Sequence, residues 1–205
     1  SLLGTLENTP APDEMAKDYG VVRTAAEFEE LLATLRGAAH FAVDTETTSL
    51  QLRQARIVGL SFAWRDGVAR YVPLDLDPPV LPGGRDAVLA ALRPLLEDAG
   101  RPKTGQNVKY DLGVLRGAGI EGRGFDFDTM LASYCVNPGS SHDLDSQTLR
   151  HFGHRKIPTK SLIGTGRKQK TFDQVDVALV GEYACEDADY TFRLRATIQQ
   201  PPGVS

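Results

Sequence analysis

One ten-residue run constrains this chain more than any other: ARIVGLSFAW, residues 55–64. It is too short for a membrane span and too continuously apolar for a half-exposed strand, so it belongs in the middle of a sheet. The RDG that follows is a turn, and VARYVPL (68–74) returns as its hairpin partner. A second apolar run, His40–Asp44, supplies a neighbouring strand, and YGVV from Tyr19 a short one before it. Thr24, with Glu27 at the capping-box offset, opens a helix whose buried stripe is Phe28, Leu31, Leu32 and Leu35.

Beyond the hairpin the pattern alternates. Residues 85–98 read as a helix and KTGQ (103–106) as a strand leading to a helix over Val108–Arg116. FDFD (125–128) is a short strand whose Asp128 caps TMLASYCV, and HDLDSQTLRHF is a further short helix. The last element is the longest, a helix over roughly Val175 to Ile198, with Leu179, Tyr183, Cys185, Tyr190 and Leu194 in or near its apolar face. Strands first, then alternating α and β, imply an α/β fold with a mixed sheet flanked by helices on both faces. With 205 residues, 41% of them apolar, the chain suffices for one good-sized core. Residues 1–18 read as a linker or tail and 19–205 as the domain. The first residue is Ser1, and the expectation is a processed product or an excised piece.

Net charge is −4, but the distribution matters more than the sum. From Ser146 to Phe172 there is no acid, while Arg150, Arg155, Lys156, Lys160, Arg167, Lys168 and Lys170 fall there. That segment, expected as an irregular loop over 153–171, can guide the phosphates of a single strand or simply be solvated. Cys135 and Cys185 form no CxxC. They read as small core residues of a reducing, cytoplasmic setting. His151 and His154 read as polar surface and Trp64 as packing at a strand end. No membrane contact is expected, and a monomer is.

The chemistry begins at FAVDTETTSL (41–50). In an extended segment residues i and i+2 point to one side, so Asp44 and Glu46 converge. Two ionised carboxylates repel unless a cation sits between them, and a hard divalent ion with oxygen ligands resolves this. Alone, such a pair is more often a solvated strand end. NVKYDLGVL puts Asp111 in the first turns of a helix, and EYACEDADY puts Tyr183 and Asp187 on one helix face, with Glu186 and Asp189 on others.

Those segments, FAVDTETTSL, GQNVKYDLGVL and YACEDADYT, with FDTML and HDLDS between them, resemble the 3′–5′ exonuclease (proofreading) domain of bacterial DNA polymerase I. This is a DEDD-superfamily domain of the Tyr-type branch, and the resemblance covers about Tyr19 to Ile198. It implies an RNase H-like fold with a mixed five-stranded sheet, and hydrolysis of DNA from the 3′ end to nucleoside monophosphates. It implies two divalent metal ions (Mg²⁺, Mn²⁺ or Zn²⁺). Asp44, Glu46 and Asp187 would bind the first, and Asp44 with Asp111 the second, while Tyr183 would orient the attacking water. Thr47 is implied at the terminal 3′-hydroxyl, Leu50 as an apolar wedge, and Gln106 and Asn107 at the frayed strand. Leu50 as core and Asn107 as a helix N-cap stay open beside those roles.

The expected partners are a single-stranded or frayed 3′ end of DNA and the polymerase domain of a parent chain. Two positions depart from the family: Ser141 where relatives often carry Arg, and Thr159 where some carry a stacking aromatic. Substrate grip is therefore expected to be weaker or differently arranged. The alternatives are an inactive structural or DNA-contacting module, which would lack the metal ligands, and an RNase D-like RNA-trimming enzyme.

Overall fold

The computed structural model describes residues 13–200. The expected linker is thereby outside the described residues up to position 12. Six strands form one sheet in the order β1-β4-β3-β2-β5-β6. They span Asp18–Val21 (β1), Phe41–Thr47 (β2), Ile57–Arg65 (β3), Val68–Pro73 (β4), Lys103–Gly105 (β5) and Phe125–Asp128 (β6). Pairing is antiparallel for β2/β3 and β3/β4, and parallel for β1/β4, β2/β5 and β5/β6. The sheet is mixed as expected, with six strands rather than five. The short runs at both edges, β1 and β6, each find a parallel partner.

Seven α-helices accompany it: Ala25–Gly37 (α1), Gly84–Leu96 (α2), Val108–Gly117 (α3), Thr129–Val136 (α4), Leu144–Phe152 (α5), Thr159–Ile163 (α6) and Val177–Gln199 (α7). Thr24 and Glu27 make the expected capping box on α1. Asp128 accepts from Met130 N and Leu131 N to cap α4. The basic segment read as an irregular loop contains α6 and a short 3₁₀ turn.

The two faces of β2 carry different jobs. Phe41 and Val43 enter the main core with Phe28, Leu32 and Leu35 of α1 and Leu92 and Leu96 of α2. Each such Leu or Phe contributes about 1.5–3 kcal/mol relative to an exposed side chain. Ala42, with Ala63 of β3 and Ala69 of β4, faces α7 through Ala184, Cys185 and Ala188. These small residues let the helix lie close to the sheet. At Gly181 the approach is closest: a Cβ there would come within 2.3 Å of Val21 Cγ2. Because 44 and 46 share the parity of 42, Asp44 and Glu46 lie on the α7 side.

Several assignments along the sequence change in three dimensions. β2 runs on to Thr47, so the two carboxylates stand inside the strand, just before an irregularity between Glu46 and Thr47. α7 is enclosed on most sides, since α4, α5 and α6 cover the face turned away from the sheet. Glu186 and Asp189 are accordingly buried, whereas Leu179, expected on the apolar face, is exposed. Cys185 is buried as expected but Cys135 is exposed. Trp64 is half-buried against the main core, as expected of packing at a strand end.

Candidate active site

Asp44, Glu46 and Asp187 come together where β2 passes under α7. Each offers a carboxylate oxygen, and these oxygens lie within 4.8 Å of one another. Glu46 Oε1 is buried with no hydrogen-bond partner among the described residues. Asp111, on the first turn of α3, stands beside this trio rather than within it. Thr45, which points to the opposite face of β2, donates its hydroxyl to Asp111 Oδ1 at 2.5 Å. One strand therefore contributes two carboxylates on one face and a positioning hydroxyl on the other.

Crowding sets the electrostatics. Burial, reinforced by Asp111 and Asp187, pushes the Asp44 carboxyl well above its ordinary range. Burial does the same to Glu46, with Asp44 and Asp187 adding to it. Burial also raises Asp111, to about 7, against the hydrogen bond from Thr45. Asp187 is raised by burial, and Lys156 opposes the rise. Four carboxyls driven upward together are stabilised in their ionised form by a cation, and an all-oxygen donor set suits a hard divalent ion. The residues present thus fit such an ion.

The site opens into a cavity of about 770 Å³, lined by the four carboxylates, Tyr183, Thr159, Leu50 and the segment from Gln169 to Phe172. Tyr183 lies four residues before Asp187 on α7, and its hydroxyl is 2.9 Å from Thr159 Oγ1. Burial and the neighbouring Asp187 raise its phenol far above the usual range, so it keeps its proton.

Residues 19–201 match the family described as 3′-5′ exonuclease. The chain belongs to that family.

The exonuclease is 45% identical to DNA polymerase I of Pseudomonas aeruginosa over 194 residues, covering 92% of this chain and 21% of that one. It is 41% identical to DNA polymerase I of Rhizobium leguminosarum over 197 residues, covering 86% and 19%. The chain thus spans about a fifth of the length of these relatives. Among solved structures, Trypanosoma brucei RNase D gives a TM-score of 0.68 at 20% identity, over 93% of this chain and 68% of that one. The POL domain of Pol1 from M. smegmatis gives 0.59 at 24% identity, over 88% and 28%. At these identities the structural likeness shows the fold alone, and that fold is the RNase H-like exonuclease fold the sequence led one to expect.

Around the carboxylates of the exonuclease, Thr47 is half-buried, 2.6 Å from the Tyr110 hydroxyl, which is itself 2.6 Å from the Ser49 carbonyl. Leu50 is 89% exposed at the cavity rim, so core packing is not its role. Asn107 is also exposed, and it adopts φ 60°, the sole non-glycine positive φ among the described residues. Its side chain does not cap α3. Asp128 accepts from Asn107 N and Val108 N instead, so the Asn107 amide is left outward. The Gln106 side chain is engaged internally: its NH₂ donates to the His142 carbonyl, and its oxygen accepts from Thr129 and from Gln147. Ser141 accepts at its carbonyl from Arg150.

Two residues near the site differ from expectation: His154 is not polar surface, and Lys156 is neither solvated nor free to guide a phosphate. Lys156, counted in the basic segment, is a buried side chain in ion-pair contact with Asp187. His154 is half-buried, 2.7 Å from Glu186 Oε1 and stacked on the Tyr190 ring. Nothing in the local pattern distinguishes these from solvated basic residues. The available signal was the charge of the site itself, since so many converging acids call for a nearby cation.

Proposed function

We propose that this domain hydrolyses DNA one nucleotide at a time from a single-stranded or frayed 3′ end, releasing nucleoside monophosphates, with two divalent ions, as the proofreading segment of a DNA polymerase I-like chain. One observation carries the reading: three carboxylates from two separate elements, the half-buried Asp44 and the buried Glu46 and Asp187, with oxygens within 4.8 Å and one oxygen of Glu46 unpartnered. Asp44, Glu46 and Asp187 would hold one ion, and Asp44 with Asp111 the other. Bound there, the ions would supply an activated water and charge neutralisation for the departing 3′ oxygen.

The remaining work falls to the chain's own side chains. Tyr183, protonated throughout the working range, donates or accepts a hydrogen bond and orients the attacking water. Thr159 fixes the Tyr183 hydroxyl. Thr47, held by Tyr110, meets the terminal 3′-hydroxyl. Leu50 presents an apolar wedge to the last bases, and the outward amide of Asn107 contacts the strand. Gln106 supports this end of α3 through His142, Thr129 and Gln147. No residue of the cavity reads a base code, so selection rests on which ends fray.

Sequence relatedness favours DNA over RNA, because the identity to the Pseudomonas aeruginosa DNA polymerase I is 45% against 20% for the RNase D structure. A competition assay decides this. With equimolar 5′-labelled DNA and RNA oligonucleotides of one sequence in Mg²⁺, the DNA is expected to shorten first. Preferential shortening of the RNA would transfer the reading to an RNA-trimming enzyme.

A further inference from the structure

Lys156 has no part in the reaction outlined above, yet it is the cation closest to the carboxylates. Its side chain is 1% exposed. The ammonium sits against Asp187 Oδ1 in an ion pair, 3.2 Å from Asp145 Oδ1, and 5.1 Å from the centre of the Tyr183 ring. Asp187 Oδ1 receives no directional hydrogen bond besides this contact.

The lysine is also held in place by its neighbours. Glu186, adjacent to Asp187 on α7, accepts from Ile157 N at 2.7 Å and lies 2.7 Å from His154 Nε2. His154 is stacked on Tyr190, with ring centres 4.8 Å apart. The chain is thus pinned to α7 on both sides of residue 156. A lysine on a free loop would turn its ammonium to water rather than bury it.

We propose that Lys156 is a resident counter-cation of the carboxylate cluster that sets how tightly Asp187 and its partners hold a divalent ion. The proposal rests on the metal-dependent reading of the site. A fixed positive charge on one cluster oxygen does two opposite things. It relieves carboxylate repulsion, which supports the folded protein when no divalent ion is bound. It also repels an incoming dication and competes for Asp187, which weakens ion binding. Asp145 moderates this: its side chain is 65% exposed and it draws the ammonium away from Asp187.

The experiment is calorimetric titration of Mn²⁺ into EDTA-stripped, desalted protein, paired with thermal melts in EDTA, for wild type, Lys156→Met and Asp145→Asn. Lys156→Met is expected to bind Mn²⁺ roughly tenfold or more tightly while melting lower in EDTA. Asp145→Asn is expected to bind Mn²⁺ several-fold more weakly. A lysine that only shapes the fold would lower both melting and Mn²⁺ affinity. One that only contacts DNA phosphate would leave Mn²⁺ affinity unchanged, and either pattern overturns the proposal. If Lys156→Met does not fold, unchanged or tighter Mn²⁺ binding by Asp145→Asn overturns it. Absence of Mn²⁺ binding by the wild type would instead overturn the metal-dependent reading, and this inference with it.

Discussion

Thr45 and Asp111 are joined through a 2.5 Å hydrogen bond between two buried side chains, one at the centre of the sheet and one on α3. The bond fixes the carboxyl that has no place in the Asp44–Glu46–Asp187 trio. Without it, burial would act on Asp111 with one opposing hydrogen bond fewer.

Thr45→Val keeps the shape and removes the donor. The cost is expected at about 1–3 kcal/mol of stability, the range for stranding a buried acceptor. Exonuclease turnover is expected to fall roughly tenfold to hundredfold if that interaction persists in the transition state. Chemical denaturation and single-turnover cleavage measure the two. Unchanged turnover with lowered stability would confine the pair to a structural role.

Tyr183→Phe removes a hydroxyl that touches Thr159 but leaves the ring stacked on Phe172. Turnover is expected to drop roughly tenfold to hundredfold, while Mn²⁺ affinity stays within about twofold, because the phenol orients water rather than binding the ion. Retained wild-type turnover would remove Tyr183 from the reaction.

These pairs show what local sequence can and cannot reveal. Asp44 and Glu46 were legible because a two-residue period sends both to one side of any strand, and Tyr183 with Asp187 because a helix brings four-apart residues together. The buried run of β3 announced itself by composition alone. Lys156 was not legible, because burial of a lysine depends on carboxylates supplied by α7 and α5. Leu179 and Cys135 went the other way, since an apolar side chain does not encode which faces of its helix will be covered. Asn107 shows a subtler case: its αL backbone is permitted by Asp128, twenty-one residues later, which takes over the capping that Asn107 would otherwise supply.

Leu50→Ala tests the strand-binding end. With 89% of Leu50 exposed, its loss is expected to leave the melting temperature within about two degrees, because surface changes are usually within about 0.5 kcal/mol. The KM for single-stranded DNA is expected to rise several-fold, since truncating Leu50 removes about 1 kcal/mol of apolar burial against a base. A lowered melting temperature with unchanged KM would return Leu50 to a packing role.

Asp13 supplies the acid-side part of the pH dependence. It accepts from Arg193 Nη1 at 2.6 Å and Tyr190 at 2.6 Å, and pairs with Lys17 at 2.8 Å. Burial would raise its carboxyl, but the bonds from Arg193, Lys17 and Tyr190 outweigh that and hold it well below the ordinary range. A depressed carboxyl contributes stability that is present above its unfolded value near 4 and is lost as pH falls toward its folded value. Asp13→Asn is therefore expected to cost about 1–3 kcal/mol at pH 7, with the difference from wild type shrinking below about pH 4. A difference that stays constant down to pH 2 would show that charge at Asp13 is immaterial.

The most direct test of the account follows a 5′-labelled single-stranded DNA through time with Mg²⁺, with Mg²⁺ plus excess EDTA, and with the Asp187→Ala variant in Mg²⁺. The carboxylate cluster predicts a ladder shortening from the 3′ end in the first sample and intact DNA in the other two. Shortening that persists in EDTA, or in a folded Asp187→Ala variant, would contradict it.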